Sequence, residues 1–358
     1  MNEKRKNDHI EICTDKKRNI EMEISTGFDD IIFVNTSVPE INFDEINLET
    51  EFLGHEFACP IFITGITGGV EEAKNINQKI AKAVDELGIG MGVGSQRSAI
   101  KNKSLIDTFN IVRQEAPNSF IAGNLGAVQL NYGFSSEDIQ KAIDMINADA
   151  MILHLNPLQE VVQPEGNTNF KNLLPKIKQI CKDVDVPIIL KEVGCGMPNF
   201  DIEQFIEFGV QAIDIAGAGG TSWSKIEAIR AEKEGKISNA KIGQLFGNWG
   251  IPTAANTFEA SSYNEEIGII SSGGIRNGLD AAKALSIGAH LVGIALPIIQ
   301  IVNSGTEKQL IDYLKQFIQE LKTAMFLVGA ENLDDLKETP LVVMGRTAEW
   351  LSARGIEL

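Results

Sequence analysis

Ser271-Ser272-Gly273-Gly274-Ile275-Arg276, followed by a short amphipathic run from Gly278 and then by Gly293-Ile294-Ala295, is the stretch that decides the fold. A Gly-Gly turn at the end of an apolar run frees backbone N–H groups, and a helix starting just beyond it adds partial positive charge. Glycine there also serves a tight turn with positive φ. Two such turns in succession, each between a strand-like and a helix-like segment, point further, to a phosphate held after the last two strands of a barrel.

Working outward, the chain past about residue 58 repeats one rhythm: apolar β-rich run, Gly- or polar-rich turn, amphipathic helix. The expected strands are Ile61–Ile66, Gly88–Val93, Ser119–Gly123, Ala150–Leu155, Pro187–Val193, Ala212–Ala216, Ile267–Ser271 and Ala289–Ile294. None alternates cleanly, as expected of parallel strands buried on both faces. Helices are expected at Glu72–Leu87, at Glu137–Ile146 behind Ser135 and Ser136, and at Asp280–Ile287 before Gly288. Eight such units could form an open sheet or a closed barrel. Polar residues follow nearly every strand, which favours the α/β class with a TIM (β/α)8 barrel, because a barrel gathers all eight loops on one face. Thr67-Gly68-Gly69 after the first strand lacks the dinucleotide-binding glycine spacing. The reading is one domain: an N-terminal extension over residues 1–58, the barrel over 59–330 and a C-terminal cap over 331–358. Trp223–Glu266 is too long for one crossover helix, so Phe246-Gly247-Asn248-Trp249-Gly250 is expected to be a loop dividing two helices.

The chain has 358 residues and a formal net charge of −17. That charge argues against nucleic acid or an anionic membrane surface as partner, and it obliges any phosphorylated ligand to find a local basic patch. The charged N-terminus has no apolar signal-like run, and Ala289–Val302, broken by Gly293 and Pro297, is too short to span a bilayer. Cys13, Cys59, Cys181 and Cys195 form no CxxC pair. A reduced, cytoplasmic protein is the expectation.

A phosphate site on a barrel suits FMN, whose ring also needs hydrogen-bonding groups along one edge. Thr67, Ser95, Asn124 and Lys191 stand at successive strand ends and meet that need. A lysine inside Pro187–Val193 is costly to bury alone. It either stabilises an anionic reduced ring or pairs structurally with Glu192.

Arg5-Lys6-Asn7-Asp8-His9, Gly65–Gly69, Gly94-Ser95-Gln96-Arg97, Gly123-Asn124-Leu125-Gly126, His154–Glu160, Lys191–Gly194 and Gly217–Trp223 together resemble the motifs of type 2 isopentenyl-diphosphate isomerases, in the family's order and over almost the whole chain. Gly65-Ile66 departs from the Ala-Met of many relatives. The resemblance implies FMN contacts from Gly65, Ile66, Thr67, Ser95, Asn124, Lys191, Thr221, Gly273, Gly274, Arg276, Ala295 and Leu296. It implies substrate contacts from Arg5, Lys6, Ser95, Gln96, Arg97, His154, Asn156 and Gln159, with Gln159 and His154 nearest the chemistry and Glu160 on Mg2+. It further implies NADPH as the activating reductant, isopentenyl diphosphate as the small-molecule substrate, and a homotetramer or octamer. The diphosphate then finds in Arg5, Lys6, Arg97 and Mg2+ the positive field that the overall charge denies it. Arg5-Lys6 must fold over the barrel mouth, and Trp223 is expected to wall the hydrocarbon end.

An FMN-dependent 2-hydroxy-acid oxidase is the main competing reading. It needs a histidine base in the loop after strand six, and Gly217–Trp223 holds none. An inosine-monophosphate-dehydrogenase-like enzyme needs a loop cysteine, for which Cys195 is misplaced. A non-catalytic phosphate-binding barrel does not explain polar residues on so many loops.

Overall fold

In the computed structural model, residues 2–356 are described. Eight parallel strands close into a barrel: β1 Ile61–Ile63, β2 Gly90–Gly92, β3 Ile121–Gly126, β4 Ala150–His154, β5 Ile188–Lys191, β6 Ala212–Asp214, β7 Gly268–Ser272 and β8 Leu291–Ile294. Each pairs with its sequence neighbours, and β8 closes on β1 with Gly293 opposite Phe62. Every expected strand segment carries or overlaps one of these. β3 runs past the expected stop at Gly123, because Asn124, Leu125 and Gly126 continue the ladder opposite Ile152, Leu153 and His154.

The missing hydrophobic alternation has a structural cause: both faces are buried, but against different partners. One set of side chains, including Phe62, Ala122, Ile152, Ile189, Ala212 and Ile270, fills the barrel interior. Their neighbours Ile61, Ile63, Ile121, Met151, Leu153, Ile188, Leu190, Ile213 and Ile269 pack outward under the helices. Because strand side chains alternate with period two, stepping two residues from Phe62, Ala122, Ile152, Ile189, Ala212 and Ile270 gives Thr64, Asn124, His154, Lys191, Asp214 and Ser272. Six of the eight strands thus set polar side chains above the apolar interior, and β8 adds Gly293, which faces Thr64 and Ser272.

The lower end of the barrel is plugged by a hairpin, Thr50–Phe52 paired with His55–Phe57. Phe52 and Phe57 stand 6.2 Å and 5.6 Å, ring to ring, from Phe120, which also meets Phe62. This aromatic floor leaves the upper end as the open one.

The helix Glu71–Leu87 buries Ile76, Ile80 and Val84 and ends on Gly88. Ser136–Ile146 begins behind Ser135, whose backbone N–H donates to Asp138. Gly278–Ile287 starts from an Asn277 cap. Trp223–Glu266 holds three helices rather than the expected two: Trp223–Lys233, Ile237–Leu245 and Thr253–Ser261. The Phe246–Gly250 loop separates the last two, and a turn at Glu234-Gly235 with Gly235 at φ +73° makes the extra break. The two ends of the chain meet where Ile31–Phe33 pairs antiparallel with Leu341–Val343.

Candidate active site

The polar layer opens into a pocket of about 250 Å3 at the C-terminal ends of the strands. Five basic residues line it (Arg5, Lys6, Arg97, Lys191, Arg276) against one acid, Glu160. On a chain of charge −17, this is the local positive field a multiply charged anion requires.

Backbone close approach builds the β6–β7 side. A Cβ on Gly220 would lie 2.4 Å from the Gly274 nitrogen, and Gly273 and Gly274 adopt φ of +106° and +80°. The loops after β6 and β7 thus stack main chain on main chain, which no larger residue permits. Residues 20–22 lie over this edge: the Met22 N–H donates to Gly220 O and the Ser222 N–H to Ile20 O. From here Glu21 takes up the Arg276 guanidinium, at 2.5 Å from Nη2 and 3.1 Å from Nε.

Within the barrel, Lys191 Nζ stands 2.7 Å from Asp214 Oδ2, and Ser272 Oγ donates to Asp214 Oδ1. Glu192 is not its partner, which corrects the structural pairing considered from sequence. Glu192 Oε2 instead accepts the N–H groups of Val193, Gly194 and Cys195. His154 Nδ1 lies 2.8 Å from Asn124 Oδ1. Burial first, then Arg97, Lys191 and Arg5, push the imidazole down to about 3, so it is neutral. With the amide oxygen as partner, Nδ1 carries the proton and Nε2 is left as an acceptor. Gly126 gives this ring its room, since a Cβ there would come 2.9 Å from Nε2.

After β4, Asn156 Nδ2 donates to Gln159 Oε1 and Glu160 Oε1 at 3.0 and 3.2 Å. Glu160 Oε2 accepts the Asn167 N–H. Gln159 Nε2 donates to Glu227 Oε1 at 3.0 Å. Among the described residues no cluster of three or more His, Cys, Asp or Glu forms a metal cage. Glu160 is the acid at the pocket, and a single carboxylate could hold only a hard cation that keeps most of its shell as water and ligand oxygen.

The helix Asn2–Thr14 lies across the mouth. Arg5 Nη1 donates to Gln163 Oε1 at 3.2 Å, and Lys6 donates to Gly68 O, Ser95 O and Ser98 Oγ. Burial, then Arg5 and Arg97, lower the Lys6 ammonium to about 7. His9 Nε2 meets Glu227 Oε1 at 2.9 Å and its ring stands edge-on to Trp223. Arg230 Nη1 binds Glu227 Oε2 at 2.5 Å, and Arg230 also reaches Glu165 and Asp8. Burial and Arg5 hold the Arg97 guanidinium below its ordinary value, while Glu160 and Glu165 oppose this.

All the residues named for FMN line this pocket, as do Arg5, Lys6, Ser95, Arg97, His154, Asn156, Gln159, Glu160 and Trp223. Gln96 does not, and its reading as a substrate contact is corrected. Fully buried, it donates to Ala142 O and accepts the Asn124 N–H, bracing β3 against the helix behind it. Sequence reasoning missed Glu227, Asp214, Gln129 and Gln163. The period-two step from Ala212 was a usable signal for Asp214, and the four-residue step from Trp223 for Glu227. Nothing local marked the two glutamines. Arg5 Nε and Asn156 Oδ1 are buried without a hydrogen-bond partner in the protein. Both belong to pocket residues, so a polar ligand there has a donor and an acceptor waiting.

The FMN-dependent dehydrogenase family pattern matches residues 154–343. The chain is 46% identical to an isopentenyl-diphosphate delta-isomerase of Methanocaldococcus jannaschii, over 98% of this chain and 97% of that protein. It is 43% identical to the one of Methanothermobacter thermautotrophicus, over 99% and 97%. Among solved structures, a lactate oxidase of Pediococcus acidilactici superposes with a TM-score of 0.67 at 16% identity, over 94% of this chain and 87% of that one. Flavocytochrome b2 with sulfite bound also gives 0.67, at 15% identity, over 99% and 85%. At that identity the two structures share the barrel with this chain, and the likeness goes no further.

Proposed function

The chain belongs to the isopentenyl-diphosphate delta-isomerases and to the FMN-dependent dehydrogenase family, and from that premise we propose that it interconverts isopentenyl and dimethylallyl diphosphate on FMN. The observation that carries this reading is the joining, in one pocket, of a glycine-lined double loop and a basic cluster at the mouth. The first suits the FMN phosphate. The second suits a diphosphate.

Gly273, Gly274, Ala295, Leu296 and Arg276 would hold the FMN phosphate, and Gly65, Ile66, Thr67, Ser95, Asn124, Lys191 and Thr221 the rest of the cofactor. When bound and reduced, by NADPH in this reading, the cofactor supplies an electron-rich surface and the acid–base centre for moving the double bond. Lys191 places positive charge on that site from inside the barrel. Arg5, Lys6 and Arg97 take the diphosphate, with Mg2+ held on Glu160. Neutral His154 offers an acceptor without adding charge. Gln159, its amide nitrogen held by Glu227, is oriented to position or relay a proton; an amide is too weak a base to act alone. Trp223 and the arm helix exclude water from a carbocation-like transition state, where fixed charge acts most strongly.

The hydroxy-acid oxidase reading finds no support in the site. The histidines lining the pocket are His9, on the arm, and His154, on β4; the loop after β6 presents none. Among the described residues no helix is long and apolar enough to cross a membrane. The four cysteines are free, in keeping with a reducing cytoplasm. Assembly as a homotetramer or octamer belongs to the same proposal, supported by exposed Ile237, Leu245 and Trp249. The test is anaerobic enzyme with FMN, NADPH, Mg2+ and isopentenyl diphosphate. Dimethylallyl diphosphate should appear, and its absence with FMN bound would overturn the assignment.

A further inference from the structure

Resting on the FMN reading above, we propose that Asp214 is a positioning residue that sets the redox poise of the flavin site by fixing and partly offsetting the Lys191 ammonium. Lys191 points into the barrel from the end of β5 and lines the pocket, whereas Asp214, one strand over in the same inward layer, is wholly buried and does not line it. The ammonium therefore stands nearer to any ligand than the carboxylate behind it. The 2.7 Å approach of Nζ to Oδ2 makes a short, buried ion pair. An ammonium has three hydrogens, so one can serve Asp214 while the others remain for a ligand. Ser272, on β7, anchors the other carboxylate oxygen. Glu192, the neighbouring acid, is turned to the backbone of residues 193–195 and cannot serve instead.

A ligand in the pocket thus meets an oriented pair rather than a bare cation. Reduction transfers a hydride, two electrons and one proton, from a reduced nicotinamide to the neutral flavin ring. It leaves oxidised nicotinamide and a ring with one added negative charge. A bare ammonium would stabilise that product strongly in a low-dielectric site, and the carboxylate behind it reduces the effect. Asp214 accordingly keeps reduction from becoming too favourable while still holding the lysine in place.

The test is the two-electron midpoint potential of the FMN-loaded holoenzyme. Asp214→Asn should raise the preference for reduced over oxidised FMN about tenfold or more, an upward shift of about 30 mV for a two-electron couple. Asp214→Ser should move it the same way if the Asn variant does not fold, and Lys191→Met should move it down. Because Asp214 acts in part by fixing the lysine, Asp214→Asn made in the Lys191→Met background should shift the potential by a smaller amount. Asp214 variants that retain FMN at the wild-type potential, or that shift it equally in both backgrounds, would overturn the inference. A wild-type protein that retains no FMN would instead overturn the cofactor reading on which it rests.

Discussion

Replacing Glu227 by Gln keeps its shape and removes one buried charge. Burial alone would push this carboxyl up, but His9, Arg230 and Gln159 together bring it from 4.5 down to about 2. That depression corresponds to about 3 kcal/mol of stabilisation at neutral pH, at roughly 1.4 kcal/mol per pKa unit. It agrees with the ~3–5 kcal/mol for breaking a buried pair from one side. Part of this cost falls on the arm. A charge-assisted hydrogen bond contributes about 1.5–3 kcal/mol, and the His9 bond at 2.9 Å is one tie between the arm helix and the barrel. Gln still offers an acceptor but no charge, so the difference of about 1–1.5 kcal/mol between a charge-assisted and a neutral bond should weaken diphosphate binding roughly 5- to 10-fold, while loosening the Gln159 amide lowers kcat. Anaerobic steady-state kinetics, with a urea titration of the same protein, separate the two effects. Because the folded value is depressed, Glu227 contributes stability that is present above 4.5 and lost as pH falls toward about 2. The Gln variant should lack that acid-side loss. A folded Glu227→Gln enzyme with KM within about twofold of wild type would refute the reasoning.

Gly220→Ala should abolish FMN retention, because the new methyl would meet the Gly274 nitrogen at 2.4 Å; flavin fluorescence after desalting checks it. Phe57→Ala empties the barrel floor, a site whose ring is 2% exposed. It should cost about 3–5 kcal/mol in urea melts while leaving KM unchanged at low temperature. Lys6 carries its charge below about 7, so its share of diphosphate affinity should fade as pH rises through that value. Lys6→Arg, which stays charged, should flatten this part of the KM profile, and an unchanged profile would exclude Lys6 as its source.

The barrel was legible because each strand is an apolar run closed by a turn, and the turn residues are required by backbone geometry. Gly273-Gly274 reads as a phosphate turn whether or not its partner loop is known. The site residues were legible where they stand at strand ends, from Thr67 to Arg276, since a barrel brings all such ends to one face. Gln96 misled because it sits between Ser95 and Arg97, which line the pocket, while its own side chain turns inward to Ala142 and Asn124. The extra helix break at Gly235 did carry a local signal, a glycine just past Arg230 and Lys233 in the last turn, that the sequence reading passed over.

The sequence by itself determined the repeat, the barrel, the positive loops and the family, since all of these are written in local patterns and their order. Tertiary structure alone decided the counter-charges. Lys191 pairs with Asp214 rather than adjacent Glu192, and His9 and Gln159 converge on Glu227 from 218 and 68 residues away. The physical reason is that barrel closure and the folded-back arm bring distant elements within ion-pair range. A buried charge then takes whichever opposite charge or dipole stands nearest in space, regardless of its distance along the chain.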